Sequence, residues 1–272
     1  MKGAIAVLAL AAGALAGCMP DDGTRYLANM IGAERRGAPL EPITATMPGT
    51  TFAQAYWYQN RYVRQRLSSG DRIAGYKGGL MSLAALNARG AAEPLVAVLF
   101  ASGRAENGAV ISLCGYRKAS FELKLAYVLD PGPASSLPAR SVLPFIDLPD
   151  IAYRDPDHYD AVDMIAANVS VARYVLGAAR PIQSVDLDQL AVTLMRDGQP
   201  IASGHGGESL GGQRRSLQFV LAQARKTGRK SRRGDLIVTG KIGDRGWLTP
   251  GRYVADYGPL GQLNFSVAGC SR

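Results

Sequence analysis

Gly207-Glu208-Ser209-Leu210-Gly211 has the G-x-S-x-G spacing that presents a nucleophilic serine on a sharp turn between a strand and a helix. In the α/β-hydrolases that carry this motif, the histidine base follows the serine in the chain. Here the histidines are His158 and His205, and both precede Ser209. Serine hydrolysis is therefore disfavoured, and the motif reads as an ordinary turn. Three cysteines and two histidines are also too few for a typical zinc finger or zincin. Carboxylates and lysines remain as the carriers of chemistry. In the strand-like run Phe121–Leu129, Glu122 and Lys124 stand two residues apart. On a strand that spacing puts both side chains on one sheet face.

The elements that must position these groups are mixed. A first helix is predicted over Arg25–Arg36, after a short tether at Asp21–Gly23. A second helix follows Thr51, where Thr51 and Gln54 form a capping-box pattern; Phe52, Tyr56, Gln59, Tyr62, Val63, Arg66 and Leu67 lie near one of its faces. Short strand-like runs follow at Ile73–Leu80, Ala109–Leu113, Phe121–Leu129, Arg173–Leu176 and Leu190–Met195. Asp197-Gly198 reads as a hairpin turn joining Val192–Met195 to Ile201–Ser203. A helix is predicted over Gln213–Thr227, then strands at Leu236–Thr239, Arg252–Tyr257 and Gln262–Val267. The fold class is α+β, with a helical part to about residue 70 and a β-rich part after it.

The composition agrees with one large domain. The chain has 272 residues, 47% of them hydrophobic and 19% charged, with 32 Gly and 15 Pro, a turn-rich globular composition. Its first residues read as an export signal. Met1-Lys2 precedes the uncharged run Ala4–Ala16, too short to span a bilayer, and Leu15-Ala16-Gly17-Cys18 resembles a bacterial lipobox. Residues 1–17 are expected to be a signal peptide, residues 18–24 a lipidated tether and Cys18 the acylated residue. Met19 stands where an inner-membrane retention signal usually has Asp, so the periplasmic leaflet of the outer membrane is the expected location. Cys114 and Cys270 would then share an oxidising compartment; a disulfide and two separate thiols both fit the sequence. The formal charge of +9 is concentrated at Arg214, Arg215, Arg225, Lys226, Arg229, Lys230, Arg232 and Arg233. The cluster suits anionic lipid, or more simply the end of a helix, where cations complement the dipole. With an export signal, nucleic acid is not an expected partner.

Gly75-Tyr76-Lys77-Gly78-Gly79-Leu80-Met81-Ser82 resembles the GYK-x-GL-x-S segment of the 2-keto-4-pentenoate hydratases, within the fumarylacetoacetate hydrolase family. Other segments agree in order: Glu93-Pro94 with Val98-Leu99-Phe100, Phe121–Leu129, Leu143-Pro144, Asp163–Ser170, Gly234–Gly240 and Ala255–Gly261. The resemblance spans about residues 25 to 267. It implies a mixed β-roll with helices packed outside, often assembled as homo-oligomers. It also implies Mg²⁺ or Mn²⁺ held by a Glu-x-Glu pair and a third acid, where the metal would polarise a 2-oxo acid while water adds to its alkene. Lys77 would line the pocket as a substrate contact or proton carrier, and Ser82 and Asn168 fall at substrate-binding positions.

The chain departs from this pattern at one carboxylate. Glu122 fills the first position and Asp147 the third, but Lys124 stands where the second Glu belongs, and Ala167 occupies a position that is often Asp. Three carboxylates around a dication carry the same net charge as Glu122, Lys124 and Asp147. Lys124 is therefore expected to occupy or crowd the metal position and pair with both acids, giving a degenerate site without its metal; the alternative is that Lys124 swings to solvent while Glu122 and Asp147 hold a weak metal. Lys77 and Lys124 would then act as the catalytic cations of a hydratase-like lyase on a small 2-oxo acid. The alternative is a non-catalytic periplasmic lipoprotein that binds an organic acid or serves as a scaffold.

Overall fold

A computed structural model describes residues 22–130 and 138–270. The proposed signal peptide and Cys18 lie outside the described residues. Among those described, no helix is long and apolar enough to cross a membrane.

Six helices are numbered along the chain: α1 (Asp22–Arg36), α2 (Ile43–Thr46), α3 (Phe52–Ser68), α4 (Leu83–Ala88), α5 (Ala161–Ala166) and α6 (Gln213–Lys226). The expected tether at residues 18–24 is corrected at its end, because α1 already begins at Asp22. Asp22 suits the positive end of the helix dipole. Gly23 lies so close to Tyr58 that a Cβ there would come within 2.2 Å of the phenol oxygen, so the first turn docks on α3 instead of trailing away. The capping box at Thr51 forms as expected: Gln54 N donates to the Thr51 hydroxyl, and Thr51 N donates to the Gln54 side chain.

The main sheet contains β1 (Ile73–Gly79), β2 (Leu95–Phe100), β3 (Arg104–Glu106), β5 (Ser120–Leu129), β6 (Ala139–Leu148), β7 (Arg173–Leu176), β8 (Arg180–Pro181), β11 (Leu236–Val238) and β12 (Ile242–Trp247). Its central order is β2-β1-β11-β5-β6-β7-β3, with β12 also paired to β5 and β8 to β6. The second sheet has the order β10 (Gln199–His205), β9 (Ala191–Arg196), β13 (Gly251–Asp256), β14 (Gln262–Ala268) and β4 (Val110–Ser112). The β9–β10 hairpin turns at Asp197-Gly198, both with positive φ, as a tight hairpin between right-twisted strands requires.

The alternation of side chains gives the main sheet two faces. Tyr76, Val96, Val98, Leu125, Tyr127, Ile146 and Ile237 belong to the large core that includes residues of α1, α3 and α6. Leu99, Ala126, Phe145, Leu176, Leu236 and Val238 form a smaller cluster on the opposite face. The registers Lys77↔Val238, Val238↔Ala126 and Glu122↔Asp147 place Lys77, Lys124, Glu122 and Asp147 on this second face. The charged groups therefore sit at one end of an otherwise apolar lining.

Pro144 stands inside β6, where a proline normally argues against a central strand. Its carbonyl accepts from Gly177 N, just past the end of β7, so the missing N–H falls where the ladder already stops.

Candidate functional site

A cavity of roughly 650 Å³ opens over the charged end of this face, lined in part by Lys77, Ser82, Glu122, Lys124, Lys241 and Arg245. Lys77 and Lys124 are each 2% exposed and Asp147 1%, whereas the Glu122 side chain keeps 21% of its surface open. Lys77 Nζ lies 2.7 Å from Asp147 Oδ2. Lys124 Nζ lies 2.9 Å from Glu122 Oε2 and 3.9 Å from the same Asp147 oxygen. Lys124 also reaches Gly78 O at 3.5 Å, and Lys77 reaches Val169 O at 3.4 Å.

Four formal charges therefore interlock with no net charge. Lys124 reaches both acids, as expected, with Glu122 as its close partner and Asp147 further off, and Lys77 holds Asp147 more tightly. Burial disfavours the ionised form of Glu122, but the Lys124 and Lys77 charges and the Lys124 hydrogen bond outweigh it. The carboxyl is held below the usual glutamate range.

These residues do not fit a resident divalent metal. Among the described residues no group of three or more His, Cys, Asp or Glu converges on one point. A hard dication needs several oxygen ligands at about 2.0–2.6 Å. A cation bridging Glu122 and Asp147 would meet the Lys124 ammonium at short range, where like charges repel strongly. Asp147 Oδ1 is buried without a hydrogen-bond partner, yet one free oxygen does not replace the missing carboxylate.

The remaining site expectations divide. Ser82 lines the cavity, and its hydroxyl also caps α4 by accepting from Ala85 N at 3.2 Å. Asn168 is corrected: it does not line the cavity. Its side chain accepts from Val98 N and donates to Val98 O, both at 2.9 Å, tying the following turn to β2. That turn, Asn168-Val169-Ser170, has three successive non-glycine residues at φ between 51° and 54°. Each is a sparsely populated conformation, with a typical cost of about 1–3 kcal/mol, so the Asn168 clamp is needed to hold it. It also presents Val169 O to Lys77. A polar residue at a helix end could have signalled this role, but nothing in the sequence names Val98 as its partner.

Ser209 is a structural residue. It is 1% exposed, accepts from Gly240 N at 2.9 Å and shares a 2.9 Å hydrogen bond with Ser216. Part of the basic cluster is paired: Lys226 reaches Glu93 and Arg233 reaches Asp130, both at 2.7 Å on the surface, while Arg229 donates to Gln59. Cys114 and Cys270 form a disulfide, with Cα atoms 4.7 Å apart.

No family model matches the chain. A 2-keto-4-pentenoate hydratase from Burkholderia vietnamiensis is 29% identical over 259 residues, covering 90% of this chain and 98% of that protein. One from Paraburkholderia xenovorans is 28% identical over 228 residues, covering 80% and 84%. Over most of its length the chain is similar to the 2-keto-4-pentenoate hydratases. The solved 4-oxalocrotonate decarboxylase from Pseudomonas putida G7, complexed with magnesium and adipate, superposes with a TM-score of 0.85 at 24% identity. The superposition covers 91% of this chain and 98% of that one, in agreement with the expected fumarylacetoacetate hydrolase-like α+β fold. Where the resemblance implies a second carboxylate, this chain places an ammonium, Lys124, beside Glu122.

Proposed function

We propose that this chain carries out hydratase-like chemistry on a small 2-oxo-4-enoic acid, with Lys77 and Lys124 supplying the positive charge at the reacting end of the pocket. The observation that carries this reading is the pair of buried ammonium groups flanking Asp147 at 2.7 and 3.9 Å in a cavity large enough for such an acid. A 2-oxo acid gains negative charge on its ketone oxygen as the enolate forms. Preorganised cationic donors in a site shielded from water stabilise that charge. Lys124 presents three N–H donors and no acceptor, so it can turn one toward the substrate while keeping Glu122. Glu122, ionised and the most open of the four groups, is the base that would take a proton from water as it adds to the alkene. Asp147, enclosed between both ammoniums, positions them. Arg245 at the cavity mouth provides a further cation for the substrate carboxylate.

A second reading is export as a lipid-anchored periplasmic protein that binds an organic acid without turnover. The Cys114–Cys270 disulfide supports the export part, since such bonds persist in oxidising compartments. The Cys18 lipobox supports the anchor. Homo-oligomerisation is proposed with it, by resemblance to the family.

The test uses the chain from Met19 onward, which retains every described residue. Loss of 2-hydroxypenta-2,4-dienoate absorbance is followed with and without a chelator. Turnover that resists the chelator and disappears in Lys124→Met supports lysine-based hydration. Binding of the dienoate without turnover leaves the second reading, and turnover that needs added Mn²⁺ overturns the first.

A further inference from the structure

A second cavity, of roughly 330 Å³, lies behind the strained turn at Asn168–Ser170, and Ser170 is the one residue that lines both. It has no part in the chemistry proposed for the first. Its walls carry three guanidinium groups, Arg66, Arg117 and Arg173, and two carboxylates, Glu34 and Asp150.

Both acids are already engaged. Glu34 accepts from Arg66 at 2.8 Å and from the Tyr62 hydroxyl at 3.1 Å. Asp150 accepts from Arg117 Nε at 2.9 Å and from the backbone N–H groups of Arg117 and Lys118. Arg66 has a further carboxylate partner in Asp71, at 2.7 Å. Arg173 is different. Among the described residues it forms no ion pair, and its Nε is buried with no hydrogen-bond partner. A buried unsatisfied donor on a charged group is expensive, so a site that keeps one is suited to an acceptor from outside.

Apolar and aromatic side chains complete the cavity, among them Met30, Leu40, Tyr116 and Tyr153. The Tyr116 hydroxyl is occupied on Leu148 O at 3.2 Å, which turns its ring toward a packing role. The loop carrying Tyr116 and Arg117 follows Cys114 directly, so the disulfide to Cys270 fixes this wall. A guanidinium whose buried Nε lacks a partner, beside aromatic and aliphatic walls, suits an anion with a planar oxyanion head and a compact apolar body.

We propose that this cavity is a second ligand site, which binds a small monocarboxylate with an apolar body through Arg173.

Benzoate is the probe, titrated calorimetrically into the chain from Met19 onward. The expected result is saturable 1:1 binding, at least tenfold weaker in Arg173→Gln and unchanged within twofold in Arg245→Gln, which alters only the first cavity. Arg173→Lys, which keeps the charge and loses the fork, should weaken binding several-fold. In the unsubstituted protein, the amide resonances of Gly103 and Gly115, which line this cavity, should shift with benzoate; this readout needs no variant to fold. Absence of benzoate binding, binding of inorganic phosphate in its place, or loss of binding in Arg245→Gln but not in Arg173→Gln would each overturn the proposal.

Discussion

Lys124 Nζ stands 2.9 Å from the Oε2 of Glu122, its neighbour two residues back on the same strand face. Resemblance to the 2-keto-4-pentenoate hydratases implies two carboxylates at this spacing; here a cation stands at the second position and pairs with the first. Lys124→Glu should therefore restore a three-carboxylate set with Glu122 and Asp147. Mn²⁺ titration by calorimetry or paramagnetic resonance should show at least tenfold tighter binding in the variant than in the parent. Tight Mn²⁺ binding by the parent would remove the argument for a lysine-filled site.

Lys77 and Asp147 form an enclosed pair, 2.7 Å apart with side chains 3% and 1% exposed. Removing Lys77 leaves Asp147 facing only Lys124, 3.9 Å away, so the loss approaches the about 3–5 kcal/mol of a broken buried pair. Lys77→Met should lower stability in urea by about that amount. The double variant Lys77→Met/Asp147→Leu should recover much of the loss, because neither charge remains. Equal instability in both would show that packing, not charge, sets the effect.

Glu122 has a folded-state pKa below its ordinary value of 4.5. Its stabilising contribution is complete above that ordinary value and is lost as pH falls through the lower folded-state value. Stability measured from pH 6 down to pH 3 should fall with a steeper acid limb in the parent than in Glu122→Gln. Any activity that uses Glu122 as its base should keep its acid limb below the usual glutamate range. An acid limb near pH 6 would assign the base elsewhere.

Asn168 clamps Val98 through two buried hydrogen bonds at the head of a left-handed turn. Asn168→Ala leaves Val98 N–H and C=O unpaired, a penalty of about 1–3 kcal/mol for each group. The midpoint of denaturation should drop accordingly. Ligand affinity in the fraction that remains folded should change little. A large loss of affinity at unchanged stability would return Asn168 to a substrate-binding role.

The disulfide closes a loop with a sequence separation of 156 residues. Cross-links over long loops typically contribute about 2–5 kcal/mol. Cys270→Ser should show a decrease in that range, and a reductant should have the same effect on the parent and none on the variant. Indifference of the parent to reductant would mean that the bond does not form in solution.

Legibility in the sequence followed local signals. The hairpin at Asp197-Gly198, the cap at Thr51 and the strand at Phe121–Leu129 were readable because turn chemistry, capping and alternation act within a few residues. β2 was harder, since Leu95–Phe100 is buried on both faces and a continuous apolar run has no period. β6 was hidden by Pro144, whose missing N–H is harmless only because β7 ends beside it. The Asn168 side chain was misassigned because its partner, Val98, lies 70 residues away. Arg173 carried no signal at all, because a lone arginine at a strand start gives no hint that its neighbours are already paired.

The sequence by itself determined which residue types the site contains: a lysine at 124 beside a glutamate at 122, and an acid at 147 to face them. A period of two put the first pair on one face regardless of what surrounded them. Only the tertiary structure decided how the charges pair. Lys77 belongs to a strand separated from that of Glu122 by β11, and the registers set it level with Ala126 and Leu143, so it is the folded sheet and the length of the lysine that bring its ammonium to 2.7 Å from Asp147. Charge pairing depends on distances of a few ångströms between segments far apart in the chain, and those distances exist only once the sheet has closed.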